Sequence, residues 1–135
     1  SDYVAFYETL GPRRIDQLDQ LAEPDMIFKD PFNYVKGTDH VRAIFHHMFD
    51  TLENPRFKVV HKAWVDNDSV VYLRWNFAYI YKTRRREIEG VSEIHISPRG
   101  KIAAHYDYWD SGEYFYEHIP VLGSVIRAIK KKLAV

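Results

Sequence analysis

The chain lacks cysteine and carries no net charge. With no cysteine in 135 residues, disulfides, zinc–thiolate sites and thiol nucleophiles are excluded, and a reducing, cytoplasmic location is expected. The 19 basic side chains are matched by 19 acidic ones, which argues against nucleic acid as the partner, because phosphate affinity comes largely from excess positive charge. Residues 1–10 lack the basic start and apolar run of a signal peptide, and no stretch approaches the roughly 18 apolar residues of a membrane span.

The size and composition are those of one globular domain. Hydrophobic residues make up 46% of the chain and charged residues 28%, which is an ordinary balance for a folded protein. The length is typical of a single domain. We therefore predict one domain over residues 1–135, with its core at about 3–112 and an amphipathic tail at about 113–135.

Apolar residues recur at helical spacing in the first third of the chain. The spacing predicts helices over residues 4–10 and 15–22, the second of them stopped by Pro24. A third helix is expected to begin at Thr38, with the threonine as N-cap, and to close before Pro55. Between the second and third helices, a short strand is expected to end near Asp30.

From residue 57 onward, the apolar period changes from helical spacing to two. Connections of three or four residues separate the runs, and connections this short require an antiparallel meander. The four predicted strands cover residues 57–65, 69–82, 87–97 and 101–109. Helices followed by a meander indicate an α+β protein, in which a curved, cone-shaped antiparallel sheet and three N-terminal helices enclose a pocket.

The strand over residues 69–82 carries apolar or aromatic side chains on both of its faces. One explanation for this strand around Trp75 is a homodimer joined through the outer face of the sheet. The other is a central strand covered on both sides within one chain, and the sequence leaves both open.

The order of three short motifs resembles that of a known superfamily. They are Lys29-Asp-Pro-Phe32 followed by Gly37, then Pro98-Arg-Gly-Lys-Ile102, then Tyr106-Asp-Tyr-Trp-Asp110. The chain resembles the nuclear transport factor 2-like (cystatin-like) superfamily, in particular its SnoaL-like and ketosteroid-isomerase-like branch. The resemblance implies a cone with a deep pocket, which agrees with the pattern of helices and strands.

Similarity to the ketosteroid isomerases implies a set of catalytic residues. Asp30 matches the general base of the family, and Tyr7 matches a tyrosine that donates to the oxyanion. The second donor of the family, a protonated aspartic acid, corresponds to Ser92, and its supporting tyrosine corresponds to Phe45. The base is therefore present while the oxyanion hole is weakened, so full steroid isomerase chemistry is not expected.

Similarity to the limonene-epoxide hydrolases implies a different set. Their Asp–Arg–Asp arrangement matches Arg74 and Asp107, but the second acid falls at Asn76. An amide cannot act as a general acid or base, so the reaction cycle of that family would be incomplete, and an Arg74–Asp107 pair would remain.

Strand alternation extends these matches to a predicted pocket, because successive side chains change face. If Asp107 points inward, His105 and Trp109 do too. If Arg74 points inward, so do Tyr72 and Asn76. The predicted polar groups are Tyr7, Asp30, Tyr72, Arg74, Asn76, Ser92, His105 and Asp107. The predicted apolar walls are Phe28, Phe45, Phe49, Ile94 and Trp109. No cofactor or metal is expected, since neither a Gly-rich phosphate loop nor a set of metal ligands is present.

These residues favour the binding of a small apolar molecule, with two functional alternatives. One is acid–base catalysis of the isomerase, cyclase or dehydratase type on a carbonyl or polyketide-like substrate. The other is a non-catalytic ligand-binding or dimerisation domain, in which Asp30 only closes a turn; an epoxide-hydrolase-like use of Arg74 and Asp107 is a further variant. The basic, amphipathic tail is expected to pack across the pocket mouth or the dimer seam, or to contact a membrane.

Overall fold

The computed structural model describes residue 5 and residues 14–135. From residue 14 onward, the first element is a 3₁₀ turn at Ile15–Gln17, which continues into a short helix, α1 (Leu18–Leu21). A second 3₁₀ turn, Tyr116–His118, lies between the last two helices. Within residues 14–135, the helices are α1 (Leu18–Leu21), α2 (Thr38–Thr51), α3 (Ser111–Tyr114) and α4 (Leu122–Leu133). Of the helix expected over residues 4–10, the structure describes only Ala5, which is helical.

In the part of the chain that the structure describes, six strands form one curved, mixed sheet. They are β1 (Ala22–Lys29), β2 (Tyr34–Lys36), β3 (Glu53–Val65), β4 (Val70–Tyr81), β5 (Arg84–Ile96) and β6 (Ile102–Tyr108). Their order across the sheet is β2-β1-β6-β5-β4-β3. Strands β3 to β6 pair antiparallel with their neighbours in sequence, which confirms the predicted meander.

The sheet differs from the prediction at its N-terminal edge. Strand β1 pairs with β6 in parallel, so the sheet is mixed rather than purely antiparallel. Strand β1 also begins at Ala22, immediately after α1, so that Pro24 lies inside the strand and the helix has already ended. The short strand β2, which the sequence pattern did not predict, pairs with β1 on its other side.

The cap of α2 and the connection between β4 and β5 differ from the prediction. Thr38 is the first residue of α2 and not its N-cap; that position is Gly37, where no side chain caps the helix. The β4–β5 hairpin turns at Lys82 and Thr83, where φ is positive, so residues 84–86, which were expected in the connection, belong to β5. Asp110 caps α3, since its side chain accepts a hydrogen bond from the Glu113 amide at 3.0 Å.

The inner face of the sheet carries the hydrophobic core. Helix α2 packs against β1 and β3, and Phe45 from this helix meets Phe28 of β1 edge to face at 5.9 Å. The buried core side chains contributed by β4 and β5 are Val71, Leu73, Trp75, Phe77, Ile88 and Ile94. Among the described residues, no helix is long and apolar enough to cross a membrane.

Candidate functional site

A histidine and a carboxylate lie side by side on the inner face of β6. His105 and Asp107 are two residues apart, so strand alternation points both in the same direction. The Nε2 atom of His105 lies 2.5 Å from Oδ1 of Asp107. The His105 side chain is fully buried, and that of Asp107 is 13% exposed.

The neighbouring strands extend this pair into a four-residue network. Ser92 on β5 is the cross-strand partner of Asp107, and its hydroxyl donates to Oδ1 of the same carboxylate. Trp75 on β4 donates its indole N–H to Ser92 Oγ at 2.8 Å. The inner polar network is therefore Trp75, Ser92, Asp107 and His105.

The direction of each hydrogen bond in the inner polar network follows from the donors available. An indole nitrogen can only donate, so Ser92 accepts from Trp75 and has its own hydrogen free for Asp107. A carboxylate oxygen accepts, so the His105 tautomer that fits is the one with its hydrogen on Nε2. The Ser92 and His105 donors thus converge on Oδ1 of Asp107, and no hydrogen bond from the described residues reaches Oδ2.

Apolar side chains flank His105 in the inner polar network. The Phe28 ring lies 5.0 Å from that of His105, tilted by 30°. His105 is paired in register with Phe28 on one side and Ile94 on the other. In such a medium, each polar interaction is stronger than in water, and each lost partner is more costly.

A glycine makes room for the tryptophan. Gly90 faces Trp75 across the β4–β5 pair, and a Cβ added there would lie 2.4 Å from the Trp75 ring. A glycine inside a strand often marks such a close approach. This was the signal in the sequence that could have identified Trp75 as an interior residue; its hydrogen bond to Ser92 was not predicted.

Several of the residues predicted to line the pocket lie on the same face of the sheet. The inner face brings Ser92, His105 and Asp107 together with three of the expected apolar residues, Phe28, Phe45 and Ile94. Phe49 and Trp109 are partly buried against the same core. Tyr7 lies outside the described residues.

Arg74, Tyr72 and Asn76 lie on the opposite face of the sheet, which corrects the prediction that they point inward. Leu73 is the cross-strand partner of Ser92, so alternation sends Arg74 outward. There it forms an ion pair with Glu89 at 2.9 Å. An Arg74–Asp107 pair is therefore absent.

Asp30 lies just beyond the end of β1 and holds a tight turn. Its Oδ1 accepts hydrogen bonds from the backbone amides of Phe32 at 2.8 Å and Asn33 at 2.7 Å. The Asn33 side-chain amide adds a third contact to the same oxygen at 3.1 Å. This is the turn-closing arrangement that an aspartate before proline favours.

The outer face carries a second cluster of similar chemistry. Glu93 accepts from the Tyr72 hydroxyl at 2.8 Å and lies 2.7 Å from His95 Nε2. Hydrogen bonds from His95 and then Tyr72 lower the pKa of Glu93, and the hydrogen bond to Glu93 raises the pKa of Tyr72. We call Tyr72, Glu93 and His95 the outer cluster.

The described residues contain no group of three or more histidine or carboxylate side chains that could hold a metal ion. The inner polar network contains one carboxylate and one histidine, which is fewer ligands than a metal site in a protein normally uses. What this arrangement can do chemically is bind a polar atom of a ligand and exchange a proton with it.

Comparison with solved structures shows the class of fold. A candidate polyketide cyclase from Xanthomonas campestris is similar with a TM-score of 0.73 and 13% identity, covering 82% of this chain and 88% of that one. An LEH-like epoxide hydrolase from M. tuberculosis is similar with a TM-score of 0.68 and 15% identity, covering 93% of this chain and 87% of that one. A nuclear transport factor 2-like protein of unknown function from Exiguobacterium is similar with a TM-score of 0.69 and 14% identity, covering 80% of this chain and 94% of that one. The protein thus has the nuclear transport factor 2-like fold.

The sequence identifies the family within this fold. The profile of the SnoaL-like domain matches residues 3–105. The chain therefore belongs to the SnoaL-like domain family, as the sequence motifs suggested. A comparison with curated proteins gave no match.

Proposed function

We propose that this protein binds a small, largely apolar carbonyl compound inside the cone and moves a proton on it, with Asp107 as the proton-transfer group. The observation that carries the proposal is the inner polar network, in which a chain of donors ends on one carboxylate within an aromatic core. A few converging polar groups in an apolar setting are typical of a ligand site.

The two oxygens of Asp107 have different roles in this proposal. Oδ1 is fixed by Ser92 and His105, which set the plane of the carboxylate and are positioning residues. Oδ2 has no hydrogen bond from the described residues and is the oxygen that takes a proton from the carbon next to a substrate carbonyl. The bonding pair then forms the double bond of an enolate, and the protonated carboxyl returns the proton at the same or another position.

Asp30 and Arg74 are not needed for this chemistry. The Oδ1 atom of Asp30 already holds the turn at Phe32 and Asn33, so we assign Asp30 a structural role. Arg74 is paired with Glu89 on the other face of the sheet. An epoxide-hydrolase reaction that depends on an Arg74–Asp107 pair is therefore not supported.

Deuterium exchange into 2-tetralone, a simple aromatic ketone, tests the proposal. This compound has exchangeable hydrogens next to its carbonyl, and proton NMR in D₂O follows their loss. We expect the wild type to exceed the buffer rate and Asp107→Asn to lose about a hundredfold or more of the enzymatic rate. Asn keeps the shape of the side chain and loses the basicity.

Asp30→Asn is the matched control, since an Asn side-chain oxygen still accepts the hydrogen bonds of the turn. We expect it to keep the wild-type rate. Full exchange in Asp107→Asn together with loss in Asp30→Asn would instead identify Asp30 as the base. Binding of 2-tetralone by the wild type, measured by saturation-transfer NMR, with no exchange above buffer would favour the non-catalytic alternative.

We also propose that the outer face of the sheet carries a second copy of the chain. Several exposed aromatic side chains support this, and tyrosine is common at interfaces because it combines a large apolar ring with a polar tip. They include Tyr72 at 38% exposure and Tyr108 at 55%. Sedimentation at micromolar concentration is expected to show a dimer, which Tyr108→Asp weakens; a monomer at all concentrations contradicts the proposal.

A further inference from the structure

The C-terminal helix α4 exposes a continuous line of apolar side chains. Leu122, Val125, Ile129 and Leu133 are spaced by three or four residues, so they line one face of the helix. Their exposures are 42%, 50%, 52% and 77%. We call these four residues the apolar stripe.

The helix packs on the rest of the protein through a different side. Gly123 is buried against the backbone of Glu117, where a Cβ would lie 2.0 Å from the carbonyl oxygen. Arg127 donates to the same carbonyl at 2.7 Å, and Lys130 lies 3.2 Å from the Glu117 carboxylate. At 3.6 residues per turn, this packing side is about a third of a turn away from the apolar stripe, so the described contacts of the helix leave the stripe uncovered.

Cations border the apolar stripe, and the segment has no acid. Residues 122–135 contain Arg127, Lys130, Lys131 and Lys132 and neither aspartate nor glutamate. On the helical wheel, Lys130 and Lys132 flank the stripe on its two sides. Lys131 and Lys132 have no ion pair with any described residue.

We infer that α4 lies flat on an anionic lipid surface, with the apolar stripe at the boundary between headgroups and acyl chains. An exposed apolar face bordered by lysines is the pattern of an interfacial helix, and lysines beside an anionic leaflet add attraction. The helix has 12 residues, fewer than the ~20 needed to span a bilayer. A second copy of the same helix is a poorer partner, because the lysines that flank the stripe would face those of the other copy.

Vesicle co-sedimentation of the full chain tests this inference. The probes are phosphatidylcholine vesicles with and without phosphatidylserine, at low and high salt. We expect binding to the vesicles that contain phosphatidylserine, weakened roughly tenfold or more by Lys131→Gln/Lys132→Gln or by high salt. Val125→Asp/Ile129→Asp should lower binding by roughly a hundredfold or more, since it removes the apolar contact and adds negative charge.

The matched control is Val60→Asp, which changes an exposed valine on β3 (44% exposed) and is expected to bind vesicles like the wild type. Far-UV circular dichroism checks that each variant is folded. Equal binding with and without phosphatidylserine, no binding to either vesicle, or equal loss in the Val60→Asp control would overturn the inference. So would a dimer in solution that Val125→Asp/Ile129→Asp converts to monomer, because the apolar stripe would then be a protein interface.

Discussion

The two faces of the sheet carry nearly the same chemical groups in different surroundings. On the inner face, Asp107 accepts from a hydroxyl and is paired with a histidine two residues away. On the outer face, Glu93 does the same with Tyr72 and with His95, also two residues away. The histidine side chain is fully buried on the inner face and 40% exposed on the outer face.

The exposure of each group to water decides what these similar side chains contribute. Water competes for every partner in the outer cluster and screens its charges, so such pairs contribute little to stability. In the inner polar network, water is largely excluded, and a group that loses its partner there pays the full cost of desolvation. Similar side chains can therefore act as a surface feature in one place and as a reactive, stabilising unit in the other.

The largest difference in stability between the two faces is expected when the carboxylate of each face is removed. Asp107→Leu removes the acceptor that the Ser92 hydroxyl and the buried His105 N–H share, and we expect a loss of about 3 kcal/mol or more. Glu93→Leu should cost less than about 1 kcal/mol. Urea unfolding of both variants measures the difference, and equal losses would show that the inner network is no better shielded than the outer cluster.

The next largest effect on stability is expected at the close contact between Gly90 and Trp75. Gly90→Ala places a methyl group against the Trp75 ring, and we expect a loss of about 1–3 kcal/mol from overpacking. A double-mutant cycle with Trp75→Phe checks the cause, because the smaller ring should recover part of that loss. If Gly90→Ala costs the same in both backgrounds, the contact is not its source.

The outer cluster should respond to acid in a defined direction. The pKa of Glu93 is lowered in the folded protein, first by its hydrogen bond with His95. Its contribution to stability is therefore present above the ordinary carboxyl pKa of 4.5 and is lost as the pH falls through the lower folded value. The stability gap between wild type and Glu93→Gln should accordingly be largest near neutral pH and should shrink in acid; a gap that widens in acid contradicts the assignment.

The smallest effect is expected at the outer ion pair. Arg74 and Glu89 are 45% and 54% exposed, so Arg74→Gln should change the free energy of unfolding by less than about 1 kcal/mol. It should also leave 2-tetralone exchange unchanged. Loss of exchange in this variant, with stability intact, would show that Arg74 takes part in catalysis.

The meander and the shared face of His105 and Asp107 were predictable because both depend on local rules. Short turns dictate antiparallel neighbours, and alternation dictates a common face for residues two apart. The parallel pairing of β1 with β6 was not predictable in this way, because it joins residues far apart in sequence and leaves no periodic signal.

The wrong face for Arg74 has a physical explanation. Strand β4 has aromatic or apolar side chains on both sides, so its hydrophobic pattern alone does not specify which face is buried. Register against β5 decides it, since Leu73 faces Ser92 and Trp75 faces Gly90.

The role of Asp30 was unpredictable for another reason. Its motif was read correctly as a strand end, but the hydrogen bonds that occupy its carboxylate depend on the conformation of the turn.

The most direct test of the proposed chemistry compares deuterium exchange into 2-tetralone by the carboxylate variants of the two faces. We expect Glu93→Gln to exchange at the wild-type rate, and Asp107→Asn to fall to the buffer rate while still binding the ketone in saturation-transfer NMR. Exchange by Asp107→Asn at the wild-type rate would contradict the central claim that the buried carboxylate moves the proton.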